Sequence, residues 1–442
     1  MSAGLRLLST VWQDWKADPL PVADVAPPVH QVPLPSRLST GDLAWASVAA
    51  MSLAAGRRAA GVDDLDPARI AVAFRSDRYL RIDGEAPPVW SPFSGFWRAS
   101  EGWVRTHGNY PHHASALRRA LAIAEGARAE DVQEAFAAIS VADAVSRISA
   151  AGGLAVPVLG EQPDRNTELR RRPVVEVRRL DTSGSSARQD RARTEARNAL
   201  PLQGVRVLDL TRVIAGPVCT RTLALLGADV LRIDPPEIAE PEWQHLDTGH
   251  GKRSAILDAR SETMHELLTE ADVVVLGYRP AAVAHLGLTA EQLADRYPGL
   301  VIVQLSAWGA EHPDRRGFDS LVQAESGIAM IESADGERPG ALPAQALDHS
   351  AGYFLAAATM VALARQREEG GSWHVRTSLR RIAAELLGMP RRSAPDAEAE
   401  FDLEPHTATF AVAGHSLVTA RPVLPDVEFA APRPWGSDQP CW

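Results

Sequence analysis

The stretch that most constrains this chain covers residues 203–258, reading QGVRVLDLTRVIAGPVCTRTLALLGADVLRIDPP and continuing to GKRSAILD. The run 205–210 is β-branched and apolar, RVIAGP at 212–217 is a turn, and 218–226 is helix-like. Gly227 stops that helix before a second apolar run at 228–233. Strand, Gly-Pro turn, helix and strand make a βαβ unit. Its crossover renders the strands parallel and gathers the loops that follow them at one edge of a sheet, where open α/β sheets hold ligands.

The alternation continues. Strands are predicted at 205–210, 228–233, 254–258, 272–277 and 300–306, with helices at 218–226, 261–270 and 290–296. This pattern predicts an α/β fold, a doubly wound parallel sheet over 201–387, with a smaller α+β domain beside it. Around that core, residues 1–38 form a Pro-rich N-terminal arm, with PLPVADVAPPVHQVPLP as an extended connector. The region 39–160 reads as α+β, with an Ala-rich helix at 43–58 and a hairpin over 94–107 turning near 100–102. Helices follow at 115–125, 129–138 and 141–151, and no strong catalytic spacing is present there. Residues 161–200 read as a charged linker whose basic run is a solvated tether. An apolar helix runs from Asp348 to Arg367, and 388–442 is a tether with a closing segment of short strands. Met51 and Met360 sit in similar Ala-rich helices, each with an Arg seven residues on (Arg58, Arg367) and a Gly ten residues on (Gly61, Gly370). Ser39 stands at the offset that matches Asp348, so a true repeat would lack the carboxylate in its N-terminal copy; a chance match between Ala-rich helices is the alternative.

At 442 residues, two or more domains can each bury a core. The net charge of −10 argues against nucleic acid as a partner, because nothing concentrates enough Lys and Arg to release many counterions. Cys219 and Cys441 make no disulfide framework, which points to a reducing interior such as the cytoplasm. The first residues lack the apolar core of a signal peptide, and the longest apolar stretch, 351–364, is too short to span a membrane.

Several ordered motifs extend beyond the opening unit: ADVVVLGYRP followed by HLGL, RRGFDSLVQAESG, and ALDHSAGY. With VLDLTRVIAGP and GKRSAILD, they make residues 203–380 resemble the family III CoA-transferases, the superfamily of formyl-CoA transferase and α-methylacyl-CoA racemase. Residues 95–180 resemble, more weakly, the small domain that normally follows the large one, and the sequence after 406 resembles the family's closing segment. The order here is therefore rearranged, as in a fusion or a permutation.

The resemblance implies a Rossmann-like CoA-binding domain and an acyl-CoA:carboxylate CoA-transferase. Asp348 is then the nucleophile. Its carboxylate attacks an acyl-CoA thioester to give a mixed anhydride, the thiolate returns to form an aspartyl-CoA thioester, and an acceptor carboxylic acid takes over the CoA. Such chemistry needs a dry site and N–H donors for the developing oxyanion. An Asp before an apolar helix is also a preferred N-cap. For CoA, the carried-over positions are the turn Arg212, Val213, Ile214, Ala215 and Gly216, the pair Lys252 and Arg253, and Tyr278 with Arg279. Gly216 would let backbone approach the cofactor, and Lys252 and Arg253 would offer cations to phosphate. His285 and Trp308 complete the set, Trp308 as a stacking platform. The partners implied are acyl-CoA and carboxylic acid small molecules, no metal, no membrane, and a second copy of the chain in an interlocked homodimer.

Departures from the family pattern bear on the reaction. Gly277-Tyr278 stands where the family often has Asn-Phe, and His285 where it has Arg, which a neutral imidazole cannot replace on a phosphate. Phe318 stands where the racemase branch has a proton-carrying His, which disfavours racemisation. His107, His112 and His113 lack metal-ligand spacing and read as surface residues after a turn. Two alternatives stay open: an acyl-CoA racemase or isomerase, and a catalytically degenerate CoA-binding protein.

Overall fold

A computed structural model describes residues 1–16, 25, 30–56, 62, 64–124, 126–180, 200–400 and 402–442. Among these, thirteen strands form three sheets. In chain order the strands are β1 Arg81–Ile82, β2 Phe96–Arg98, β3 Trp103–Thr106, β4 Ala155–Pro157 and β5 Glu176–Leu180. They continue as β6 Arg206–Leu210, β7 Asp229–Asp234, β8 Lys252–Ile256, β9 Val273–Leu276 and β10 Val301–Ser306, then β11 Ser372–Ser378, β12 Thr407–Val412 and β13 His415–Ala420.

The central sheet has seven strands in the order β5-β11-β10-β9-β6-β7-β8. All pairings are parallel except that of β5, which runs antiparallel to β11 at one edge. Successive strand residues point to opposite faces, and here both faces are covered. Val207, Val273, Val275, Val301 and Val303 pack into one core with the helices Ala215–Leu225 and Ala346–Glu369. Leu208, Leu210, Val274, Leu276 and Ile302 pack into the other with the helices Glu262–Glu270 and Ala290–Arg296. The doubly wound α/β expectation is therefore met. From β6 the chain winds outward through β7 and β8, and then restarts on the other side with β9. The switch between β6 and β9 opens a crevice at their carboxyl ends.

A second sheet, β2-β3-β4, carries the helices Pro111–Leu121, Ala129–Ala137 and Val141–Ala150 around its own small core of Trp97, Phe136 and Ile148. The third sheet joins β1 to the hairpin β12–β13.

The structure changes several boundaries. The region 161–200 is not all linker: Pro163–Arg170 is helix and Glu176–Leu180 is a strand of the central sheet, while the basic run 182–199 lies outside the described residues. The start of the N-terminal arm is a helix, Ala3–Asp14, whose Leu5, Leu8 and Val11 are buried; Trp15 behind it donates Nε1–H to the Val175 carbonyl at 3.0 Å. The Ala-rich helix, Thr40–Ala54, packs on the helix Ala346–Glu369 and so joins the large core, not the β2-β3-β4 unit. The two helices of the internal echo thus lie side by side, although Arg58 and Gly61 fall outside the described residues. Strand β11 had no counterpart in the sequence reading.

The segment after β13 runs along the outer edge of β8. Ser254 N–H donates to Asp438 Oδ2 at 2.9 Å, Asp438 N–H returns to the Ser254 carbonyl at 2.8 Å, and Trp442 Nε1–H reaches the Leu267 carbonyl at 3.0 Å. Among the described residues no helix is long and apolar enough to cross a membrane.

Candidate functional site

The crevice at the switch point is built by two loops. Strand β6 ends at Leu210, Thr211 follows, and RVIAGP turns directly into the helix Ala215–Leu225, three residues earlier than its apolar pattern suggests. Val213 carries the strain of that turn, with φ at +73°, a region costly for a β-branched residue. Gly216 has a different reason from the one read in the sequence. A Cβ there would lie 2.3 Å from Thr211 Cβ, so the glycine closes the turn against Thr211. Gly277, after β9, meets the same side chain, with a Cβ position 3.1 Å from Thr211 Cβ. Thr211 is itself fixed, since its N–H donates to Asp209 Oδ1 at 3.0 Å.

Between the loops lies a cavity of about 300 Å³. Arg212, Val213 and Ala215 line it from the first loop, Tyr278 and Arg279 from the second, and Asp348 from the helix Ala346–Glu369. The turn and the acidic residue singled out in the sequence, 136 positions apart when counted from Arg212, therefore meet in one cavity.

Asp348 is the third residue of its helix, after Gln345 as N-cap, so it is not itself the cap. It is buried, and its N–H donates to Asp319 Oδ2 at 2.9 Å. Asp319 is fully buried; its other oxygen accepts Gln323 Nε2–H at 2.5 Å, and Gln323 Oε1 accepts the Leu342 N–H at 2.9 Å. Burial, and then the neighbouring Asp319, push the Asp348 carboxyl well above its usual range. Burial pushes Asp319 up to about 6, against the hydrogen bonds it receives. The site therefore holds a closely linked pair of buried carboxyl groups.

Arg212 is engaged. Its Nε–H donates to Glu240 Oε2 at 2.8 Å, and Arg232 Nη2–H reaches the same oxygen at 3.0 Å. Burial alone would raise the Glu240 carboxyl, but Arg232 and Arg212 hold it below its ordinary value. Glu240 Oε1 also accepts the Val213 N–H at 3.2 Å, so this buried group pins the strained turn. Arg279 and Arg316, which line the same cavity, use single donors on the carbonyls of Asp314 and Gly152, at 3.1 and 3.2 Å. They keep further donors for an anion, and so does Arg212, whose Nη2 is buried without a partner.

Six carried-over positions do not line this cavity, Gly216, packed against Thr211, among them. Lys252 is buried beneath the turn, with Nζ 3.1 Å from Asp209 Oδ2 and 3.0 Å from the Pro217 carbonyl. Arg253 pairs with Asp229 at 2.9 Å on the outer strand. His285 is exposed, with Nδ1 2.7 Å from the Ala281 carbonyl one helical turn back. Trp308 is buried, donates Nε1–H to the Arg316 carbonyl at 2.9 Å, and carries the Arg315 guanidinium 3.7 Å over its ring, so no free face is left on that side for a base. Ile214 faces a smaller cavity that also touches Asp348.

The β2-β3-β4 unit supplies the opposite wall, which sequence reasoning missed. Tyr110, His112 and His113, at the start of the helix Pro111–Leu121, line the cavity. The surface reading of the histidines fails for two of them: His107 and His113 are buried. His107 stacks on Phe318 with ring centroids 4.0 Å apart, and burial, with Arg105 and then His113, holds its imidazole well below the usual value. Burial pushes His113 down to about 3. The Tyr110 ring lies 5.1 Å from the Arg212 guanidinium carbon. The one local signal was Pro111, a first-turn proline that sets the helix start but says nothing about where it docks.

Residues 202–406 match the sequence model of CoA-transferase family III. The chain is 32% identical over 207 residues to a probable fatty acyl-CoA transferase of Mycobacterium tuberculosis, covering 42% of this chain and 52% of that one. It is 30% identical over 209 residues to the (R)-2-hydroxy-4-methylpentanoate CoA-transferase of Clostridioides difficile, covering 42% and 52%. It is 30% identical over 212 residues to a formyl-CoA:oxalate CoA-transferase of Escherichia coli, covering 43% and 50%. The chain thus spans about half the length of these curated relatives. The match to CoA-transferase family III thus takes in residues 202–406, the part of the chain that holds the turn, Asp348 and most of the switch-point crevice.

Proposed function

We propose that this protein moves CoA from an acyl-CoA thioester to a carboxylic acid, with Asp348 as the covalent nucleophile. The observation that carries the reading is that Asp348 and the RVIAGP turn line one cavity, beside two arginines with spare donors. The cavity, about 300 Å³, is sized for the acyl-thioester end of the substrate. Arg279 and Arg316 then meet the anionic remainder of CoA.

In the first step the Asp348 carboxylate attacks the thioester carbonyl and the C–S bond breaks, giving an aspartyl-acyl anhydride and CoA thiolate. The thiolate attacks the aspartyl carbonyl, releases the donor acid and leaves an aspartyl-CoA thioester. The acceptor carboxylate repeats the two displacements in reverse and regains Asp348 free. Water must be kept from the anhydride, and the burial of Asp348, beside a small void that Phe318 and Tyr110 also line, serves that end. The raised carboxyl must ionise before it attacks, so substrate binding has to bring positive charge toward it or the reaction must run at higher pH.

Incubation with a panel of acyl-CoAs, followed by mass spectrometry, tests the reading. A CoA-sized adduct on Asp348, absent from Asp348→Ala, is expected. CoA binding without an adduct would instead favour a degenerate binding protein. A second reading, racemisation of an acyl-CoA, has one observation in its favour. His113 lines the cavity with Asp348 and is held neutral, though the burial that pushes it down to about 3 makes it a weak base. Solvent deuterium entering the α-carbon of 2-methylacyl-CoA would establish it. A homodimer, interlocked or not, and a cytoplasmic location complete the proposal. Size measurement in solution tests the first.

A further inference from the structure

A second cavity, of about 330 Å³, lies between the hairpin β2–β3 and the start of the helix Asp319–Ser326. Arg105, on β3, forms one wall. Its side chain is nine-tenths buried, and its guanidinium carbon lies 5.2 Å from the Trp90 ring and 4.7 Å from the Phe96 ring. Its Nε–H is buried without a partner, as is the hydroxyl of Ser320 in the same cavity. Two unpartnered polar groups in one cavity are costly unless something else satisfies them.

The cavity borders a void that Asp348 lines. Asp77, Trp90 and Gln345 line both the cavity and this small void of about 30 Å³, and the void is lined in turn by Asp348, Val213, Tyr110 and Phe318. These last four also line the cavity at the switch point. The chamber and the switch-point cavity thus both border the void that Asp348 lines, and the chamber is walled half from the matched region 202–406 and half from Asp77, Arg78 and the 90–105 segment before it.

We propose that the chamber around Arg105 binds the acceptor, a hydroxycarboxylic acid with a flat apolar body, its carboxylate on Arg105 and its hydroxyl on Ser320. A planar guanidinium suits a carboxylate in two-point contact, and the aromatic rings that flank it offer a surface to an apolar body. Burial pushes the guanidinium down to about 10, with Asp319 acting the other way, so it stays charged at neutral pH yet lacks a full counter-charge. Asp77, in the same chamber, is pushed up to about 6 by burial, and then by Asp247, with Arg78 beside it acting the other way. Arg78, the other charged neighbour, spends a donor on the Pro343 carbonyl at 2.7 Å. The inference deepens the proposed CoA transfer and rests on it for the meaning of the acid as acceptor.

The test uses the full chain with mandelate and its neutral amide, mandelamide, read by ligand-observed NMR, and with CoA read separately by calorimetry. Mandelate should bind, mandelamide should not, and Arg105→Met should weaken mandelate roughly 10- to 100-fold. Arg105→Lys should restore part of that loss, and Ser320→Ala should weaken mandelate by a smaller factor, which keeps the test open if Arg105→Met fails to fold. Equal binding of acid and amide, undiminished binding by Arg105→Met, or no binding of mandelate overturns the proposal. Protein that takes mandelate through Arg105 but not CoA would sink the transferase reading and leave this site standing; protein that takes CoA and not mandelate does the reverse.

Discussion

The Asp348 N–H donates to Asp319 Oδ2 across 2.9 Å, so the carboxyl proposed to attack substrate is anchored by a second buried carboxyl group. That second group also raises the first. Position and charge are thus coupled through one hydrogen bond.

Asp348 should cost the fold stability at neutral pH. The folded state holds its proton more tightly than the unfolded chain, whose carboxyl ionises near the ordinary 3.8. The stability gained from that proton is complete below about pH 4 and is lost as the pH rises through the raised folded-state value. Asparagine keeps the shape and cannot ionise. Asp348→Asn should abolish transfer and raise Tm near neutral pH, with the gain vanishing at about pH 4 and below. Calorimetric melting across that range checks it; a Tm difference independent of pH would contradict the account.

Asp319→Asn removes the like charge and retains one acceptor. The pH at which transfer reaches half its maximum should move to lower pH, by about one unit, because Asp348 then ionises more readily. The plateau rate should fall, since Asn cannot accept both the Asp348 N–H and the Gln323 amide. An unmoved pH–rate profile would show that Asp319 acts only as scaffolding.

Lys252 and Arg279 should separate cleanly. Lys252→Met leaves Asp209 buried without its cation and should cost about 3–5 kcal/mol of stability, read from the urea midpoint. Arg279→Met should leave that midpoint nearly unchanged and raise KM for acyl-CoA about tenfold. The opposite pattern would return Lys252 to the binding site.

Gly216→Ala places a methyl group 2.3 Å from Thr211 Cβ, with Thr211 held by Asp209. The turn must shift, at a cost of about 1–3 kcal/mol. Urea unfolding should show the loss, and weaker acyl-CoA binding should accompany it because Val213 and Ala215 move with the turn.

The interior of the central sheet was legible because parallel strands covered on both faces are continuous apolar runs, as VVVL at 273–276 illustrates. The edge escaped notice for the same reason. Strand β5 reads EVRRL and β11 reads SWHVRTS; their charged residues meet across the edge, as where Arg376 Nη2 lies 2.8 Å from Glu176 Oε2. Within the site, the turn and Asp348 sit in ordered motifs and could be read. Glu240, Arg105, Tyr110 and His113 could not, because each owes its place to the docking of separate elements. No local periodicity carries that information.

The run of contacts between Ser254 and the segment ending at Trp442 has a consequence for the molecule's company. A sheet that stops at a bare strand offers its unpaired amides and carbonyls to any other strand, including one from a second copy. Here β5 closes one border with charge, and the chain's own last residues occupy the other, where Asp438 takes both a donor and an acceptor of Ser254. Removing residues 432–442 would free that border, and the expected result is fibrillar or amorphous self-association at concentrations where the whole chain stays dispersed, visible by light scattering.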